Sequence, residues 1–390
     1  MMTIHHSRRA FGSLIAALAL SFSIPAAAQE MIRIGFVAPM SGNYGAYGQG
    51  FYNSMRAYMA NYGDTVAGKK VEIIVRDNTT NTPDNARRLA QELASRDKVD
   101  FLAGFALTPD ALAVASVATA AKKPTIVMLA ATAGLTAKSP YIARVSYSNG
   151  QTSATMAKWA YKNGVRKVYT LVSDFASGID CEEAFKKTFE AQGGKIIGGT
   201  RMALASLDYS PFVQRAKDAA PDAIYLFVPS GDPMIAFMKA YTEKALPQAG
   251  VKLMTSTDLA DEYIRPLGDT AQYLINTVQY FDTLDNDENK RYTAAYQKIA
   301  GRLPGAIAVG GYDGMAVIYE TAKKLNGQID PDKAMAAIKG IKIKSPRGNL
   351  TIDPETRDTV ANMYVAKVEK REGRYVPVVI DTFTNVTEGR

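Results

Sequence analysis

IRIGFVAPMSGNYGAYGQG, residues 32–50, sets the reading of the whole chain. Residues 32–39 form a short apolar run that gives way to serine, glycine, asparagine and tyrosine, and residues 48–61 then read as a helix. A strand that is apolar throughout, rather than alternating, and is followed at once by a helix fits a parallel sheet buried on both faces. The unit repeats. Residues 71–76, 99–103 and 125–129 read as strands, with helices at 83–96 and 109–121, each opened by a proline suited to a first turn. The pattern then restarts, with helices at 152–161, 181–191, 211–219 and 234–244 and strands at 167–172, 195–199, 223–228 and 252–255. The expected fold class is α/β, with two doubly wound parallel-sheet lobes.

Beyond Tyr280 the pattern changes to helices at 289–300, 306–325 and 332–338, then strand-like runs at 349–352, 363–368 and 375–380. These segments are too few for a third domain and are expected to return into the two lobes. Crossings near Ser146, Tyr280 and Gly348 would place 29–147 and 281–348 in lobe 1, and 148–280 and 349–390 in lobe 2. Three crossings make a hinge that bends without letting the lobes part. The run Gly310-Gly311-Tyr312-Asp313-Gly314-Met315 opens a long apolar helix and reads as close helix packing.

The N-terminus has Arg8 and Arg9, an apolar stretch from Phe11 to Ile24, Pro25, and Ala26-Ala27-Ala28 before Gln29. This is the layout of an export signal, residues 1–28, with cleavage expected after Ala28, by the general or the twin-arginine route. The apolar stretch is shorter than the ~20 residues that span a bilayer. The only two histidines, His5 and His6, lie in that signal. The mature chain would thus have no histidine triad, histidine–zinc site or Cys–His pair. Its single cysteine, Cys181, excludes an intramolecular disulfide and reads as a small semi-buried helix residue. The net charge of +8 is spread along the chain, with no basic block suggesting nucleic acid. No cofactor is expected.

In parallel sheets of this kind ligands bind beyond the carboxyl ends of the strands. The first such loop carries Tyr44 and Tyr47, an aromatic wall beside flexible backbone; its glycine spacing fits neither the dinucleotide nor the Walker pattern. After the third strand, Phe105 precedes Thr108, a candidate N-cap with Pro109 next, whose helix end would favour a carboxylate. Ala130, Ala131 and Thr132 offer close backbone approach and a hydroxyl. In the second unit Phe175, Ser230 and Asp258 follow strands; Asp258 would suit an ammonium or hydroxyl group, whereas Asp174 and Asp232 read as helix caps.

Taken in order, Ile34-Gly35-Phe36 leading to Met40-Ser41-Gly42 with Tyr47-Gly48, the Asp77 strand end, Ala130-Ala131-Thr132 and Gly311-Tyr312-Asp313-Gly314 resemble the type I periplasmic binding proteins of ABC importers, in the leucine/branched-chain amino acid-binding branch. The resemblance covers nearly the whole mature chain. It implies two lobes that close on a small ligand and deliver it to a membrane permease, in a periplasmic monomer that is not an enzyme. It also implies that Tyr47 forms the aromatic wall, Thr108 and Ala130 to Thr132 hold a carboxylate, Phe175 stands where amino acid binders often have tyrosine, and Asp258 holds an ammonium. A second-lobe tyrosine of the amino acid binders falls at Pro229-Ser230 and is missing here. With Phe105-Ala106-Leu107 similar to relatives associated with aromatic acids, the expected cargo is a small carboxylate of the benzoate type; the alternative is a branched-chain or other amino acid. A secreted histidine-independent enzyme and a sensing module are the readings from other classes, but no G-x-S-x-G or S-x-x-K stands at a strand end.

Overall fold

The structure, a computed structural model, describes Met1 and residues 31–388 apart from 80, 81, 205, 207 and 258; the expected signal, residues 1–28, lies outside the described residues except for Met1. The first sheet is built by β1 (Met31–Ala38), β2 (Thr65–Val66), β3 (Lys69–Asp77), β4 (Phe101–Gly104), β5 (Thr125–Val127) and β6 (Ile142–Arg144), interleaved with α1 (Gly45–Tyr62), α2 (Pro83–Ser95) and α3 (Thr108–Ala120). Its order is β2-β3-β1-β4-β5-β6, parallel except for the β2–β3 hairpin at one edge. β1 and β4 are central. Ile34, Phe36, Phe101, Leu102 and Ala103 are wholly buried, which is why these strands read as unbroken apolar runs.

The second sheet takes β7 (Lys167–Ser173), β8 (Lys195–Met202), β9 (Ala223–Phe227), β10 (Lys252–Thr255) and β11 (Leu274–Val278), with α4 (Asn149–Lys162), α5 (Ala176–Ala191), α6 (Ser210–Asp218), α7 (Asp232–Glu243) and the short α8 (Asp261–Ile264). The chain then forms α9 (Asp287–Ala300), α10 (Val309–Lys324) and α11 (Pro331–Ile338), and ends in β12 (Lys342–Ser345), β13 (Gly348–Ile352), β14 (Thr359–Arg371) and β15 (Arg374–Val386). The order is β12-β13-β14-β11-β10-β9-β7-β8, with β15 on β14. β7 to β11 are parallel; β14 joins β11 antiparallel.

The helical run beyond residue 280 does return, as expected. α9 and α10 pack on α1 of the first unit, and β14 adds to the second sheet. The start of α10 packs tightly on both the end of β5 and α1. A Cβ on Gly310 would lie 2.1 Å from the Met128 carbonyl oxygen, and one on Gly311 would lie 2.3 Å from that of Phe51, so only glycine lets the helix backbone come this near.

The chain passes from the first sheet to the second after β6, and buried polar groups tie this segment and the stretches near Tyr280 and Gly348 where the other two crossings are expected. Arg144, at the end of β6, donates from Nε to Asp358 (2.8 Å) and from Nη2 to Glu388 (2.5 Å). Arg347 donates from Nε to Asp313 (2.8 Å) and from Nη2 to the Val145 carbonyl; both members of that ion pair are fully buried. Gln279 donates to the Ala306 carbonyl at 2.9 Å. Among the described residues no helix is long and apolar enough to cross a membrane.

Candidate functional site

The strand order places β1 between β3 and β4, and β7 between β8 and β9, so the loops beyond these strands diverge and leave a crevice. A cavity of about 520 Å³ opens there. It is walled by the loops and helix starts after β1 (Tyr44, Tyr47) and β4 (Ala106 to Pro109) and by the loop after β5 (Leu129, Ala131) from one sheet. The other sheet supplies the loops after β7 (Phe175 to Ser177), β9 (Val228 to Ser230) and β10 (Ser256, Thr257). Tyr147 and Asn149, from the first linking segment, complete the wall with Phe227, Leu112, Leu204 and Ile307. Tyr44 and Tyr47 pack with ring centroids 5.7 Å apart, and Phe175 lies 6.1 Å from Phe227. None of the described residues that line the cavity carries a formal charge.

Of the residues singled out in the sequence, Tyr44, Tyr47, Thr108, Ala131, Phe175 and Ser230 line this cavity. Phe105 and Ala130 do not. Phe105 adopts φ +62° after Gly104 at φ +110°, a left-handed turn that sends its ring into the core, 1% exposed, and brings Ala106 and Leu107 to the cavity instead. The turn is pinned on both sides, by Phe105 N–H on the Val37 carbonyl (2.9 Å) and Ala130 N–H on the Phe105 carbonyl (3.2 Å). The Thr132 hydroxyl donates to Asp180 of α5 at 2.6 Å. Asp258 lies outside the described residues.

Thr108 is not the N-cap of α3. Leu107 holds that place, in extended conformation (φ −102°, ψ 142°), and Thr108 is the first helical residue. The helix gains one residue because proline is tolerated throughout the first turn, where its missing N–H would go unpaired anyway. No side chain caps this end. The positive helix terminus is therefore presented beside the cavity, close to the Ala131 segment. Asn149, 3% exposed, has its N–H on the Ala131 carbonyl (2.8 Å), and its side-chain Nδ2 has no protein partner.

Beneath the same helix end sits Asp110, 2% exposed, with Oδ2 accepting from Asn78 (2.8 Å) and Oδ1 unpartnered. Burial pushes its carboxyl up from 3.8 to about 6. A carboxyl raised in the folded state binds its proton more tightly there than in the unfolded chain. Its contribution to stability thus falls as pH rises from about 4 through about 6, by ~3 kcal/mol across the window. Asp110→Asn is expected to remove this slope and to stabilise the protein by about 1–3 kcal/mol at pH 7.5 but not at pH 3.5. Urea melts of both proteins across that range would check it, and equal slopes would refute the assignment.

Cys181 is fully buried and its thiol is pushed up to about 12 by burial, so it is no nucleophile at neutral pH. Arg144 holds the cavity loop from behind, donating from Nη1 to the carbonyls of Ala130 (3.2 Å) and Thr132 (2.7 Å).

The site is thus an aromatic crevice between the two sheets, without formal charge among its described lining residues and with an open helix terminus on one wall. A periplasmic binding protein family model matches residues 31–373. The chain belongs to the periplasmic binding protein family. This periplasmic binding protein is 38% identical over 376 residues to Leu/Ile/Val-binding protein homolog 6 of Brucella melitensis, covering 95% of this chain and 96% of that relative. It is similar also to a solute-binding protein of an ABC transporter from Rhodopseudomonas palustris BisB5, solved with 3,4-dihydroxybenzoic acid (43% identity, TM-score 0.85, covering 92% and 99% of the two chains). A third relative, an ABC transporter solute-binding protein from R. palustris HaA2, was solved with p-hydroxybenzoic acid (40% identity, TM-score 0.87, with the same coverage).

The cavity residues that sequence reasoning missed are chiefly Leu107, Leu129, Tyr147, Asn149 and Phe227. Tyr147 and Asn149 belong to a segment that reads only as a polar linker. The others sit at the last turn or residue of apolar runs, where nothing distinguishes a wall from a core.

Proposed function

We propose that this periplasmic binding protein captures a small aromatic carboxylic acid of the benzoate type between its lobes and delivers it to the permease of an ABC importer. The observation that carries the reading is the cavity wall, aromatic and aliphatic with no formal charge among its described residues, set against an uncapped helix N-terminus. A benzoate needs a flat apolar slot for the ring and N–H groups for the carboxylate, and the α3 terminus with the Ala131 segment supplies the second. Tyr44, Tyr47 and Phe175 would enclose the ring, and Ser230 would meet a polar substituent. Phe105, Ala130 and Thr132 would act through the backbone they position. An amino acid ligand would also bury an ammonium, which requires a paired acid. The aromatic acids held by the two R. palustris relatives support the same choice.

Burying a ring of about 150 Å² contributes ~4 kcal/mol, and charge-assisted bonds at the helix end add about 1.5–3 kcal/mol each. Micromolar binding, about 8 kcal/mol, is within reach of that sum. Lobe boundaries at 147/148, 280/281 and 348/349, export by residues 1–28 with cleavage after Ala28, a monomeric state and the absence of catalysis belong to the same proposal.

Titration calorimetry with benzoate, 4-hydroxybenzoate, 3,4-dihydroxybenzoate, leucine, isoleucine and valine tests it. A hydroxybenzoate is expected to bind at micromolar Kd and be recovered unchanged. Binding of leucine or valine with no response to any benzoate would overturn the cargo, and turnover of a bound acid would overturn the transport role.

A further inference from the structure

Asp180 lies on α5, one turn beyond Ser177 of the cavity wall, and residues three apart on a helix share a face. Its Oδ2 accepts the Thr132 hydroxyl at 2.6 Å and lies 3.4 Å from the Ala133 N–H. Thr132 follows β5 of the first sheet and Asp180 stands on the helix after β7 of the second, so these bonds join the two sides of the crevice, next to the segment that leads from β6 to β7, whose Asn149 N–H donates to the Ala131 carbonyl at 2.8 Å. Arg144 fixes the Thr132 carbonyl from behind at 2.7 Å, so the hydroxyl is presented by a rigid backbone.

We propose that Asp180 is the closure-setting residue of this protein, holding the lobes together through Thr132 and so governing how long a bound ligand is retained. The inference rests on the binding function proposed above. It reassigns the Thr132 hydroxyl from the ligand to the opposite lobe, because a hydroxyl proton given to Asp180 is not available to a ligand carboxylate. Opening the crevice breaks both bonds and returns their partners to water, so the bonds favour only the closed arrangement. Apparent affinity scales with the population of the binding-competent state, so a bias toward closure appears directly in Kd. A carboxylate acceptor gives the stronger class of hydrogen bond, and its loss is expected to raise Kd about 10-fold.

The test combines ligand and ligand-free readouts. Asp180→Ala and Thr132→Val are each expected to raise the Kd for 4-hydroxybenzoate about 10-fold, mostly through faster dissociation. The double variant should be no weaker than either single one, since both remove the same bond. Asp180→Asn, which keeps an acceptor for the hydroxyl, should fall between. Without ligand, pulsed electron paramagnetic resonance on spin labels at Ser116→Cys and Lys187→Cys, both exposed, should show longer lobe separations once Asp180→Ala is added, with buried Cys181 left unlabelled. Unchanged separations and unchanged dissociation, or additive losses in the double variant, would overturn the proposal. If the wild type bound no aromatic acid, the cargo assignment would fail, and the ligand-free separations would still decide the role of Asp180.

Discussion

Arg144→Met is expected to lower the unfolding free energy by about 3–5 kcal/mol, the range for removing one partner of a buried ion pair. The guanidinium is 1% exposed and serves two carboxylates and two carbonyls at once. Glu388 limits the loss by taking up a proton. Burial pushes its carboxyl up to about 7 even with Arg144 beside it, and Asp358 opposes its charge further. Without the guanidinium the Glu388 carboxyl, already at about 7, takes up a proton, and Asp358 is left without its cation. Arg144→Met combined with Asp358→Asn is therefore expected to recover about half of the loss, because the stranded charge is gone while the untethered carbonyls remain. Arg144→Lys should stay close to the methionine variant, since an ammonium cannot reach four acceptors in the guanidinium plane. Denaturant unfolding of the four proteins at pH 7.5 would measure this. A loss below about 1 kcal/mol for Arg144→Met would mean that the linking segment is held by other contacts.

That hub marks the boundary of what the sequence discloses. Strands buried on both faces, such as β1 and β4, announce themselves because every position must be apolar. β10, residues 252–255, matches the expected bounds although only Leu253 and Met254 are apolar. β6 and β11 were missed. Asn276 and Thr277 of β11 are wholly buried yet polar, and β6 has three residues, one of them Arg144. α5 begins at Ala176 rather than Cys181 because Ser177-Gly178 looks like loop. The glycine is needed where a Cβ would lie 2.0 Å from the Ser173 carbonyl oxygen, a helix–strand contact invisible in one dimension. At the site, the strand-end rule names the right loops but not the side chains that turn inward. The positive φ of Phe105 exchanges an aromatic residue for Ala106 and Leu107. The bonds from Thr132 to Asp180 and from Arg144 to Asp358 join residues 48 and 214 positions apart, which no local pattern records.

Thr108→Asp should separate binding from folding most sharply. The new carboxylate would stand at the first residue of α3, on a helix end that no side chain caps, where an anion is favoured by about 0.3–1 kcal/mol. Asp110, two residues on and buried without a cation, opposes that gain, so net stability should change by less than about 1 kcal/mol. Ligand binding should respond quite differently. A benzoate carboxylate directed to the same helix end would meet a like charge already in place and lose its bonds to the terminus. The expected loss is at least 100-fold in Kd, about 3 kcal/mol. Thr108→Val, which removes the hydroxyl without adding charge, should lose no more than about 10-fold, the worth of one hydrogen bond. Neutral benzamide offers the internal control, since it keeps the ring and drops the charge. Its Kd should change several-fold at most between wild type and Thr108→Asp, so that the penalty follows the charge of the ligand rather than damage to the pocket. Were Thr108→Asp to bind 4-hydroxybenzoate as the wild type does, the carboxylate would have to sit at the opposite wall, near Ser256 and Thr257, and the helix terminus would have no part in recognition.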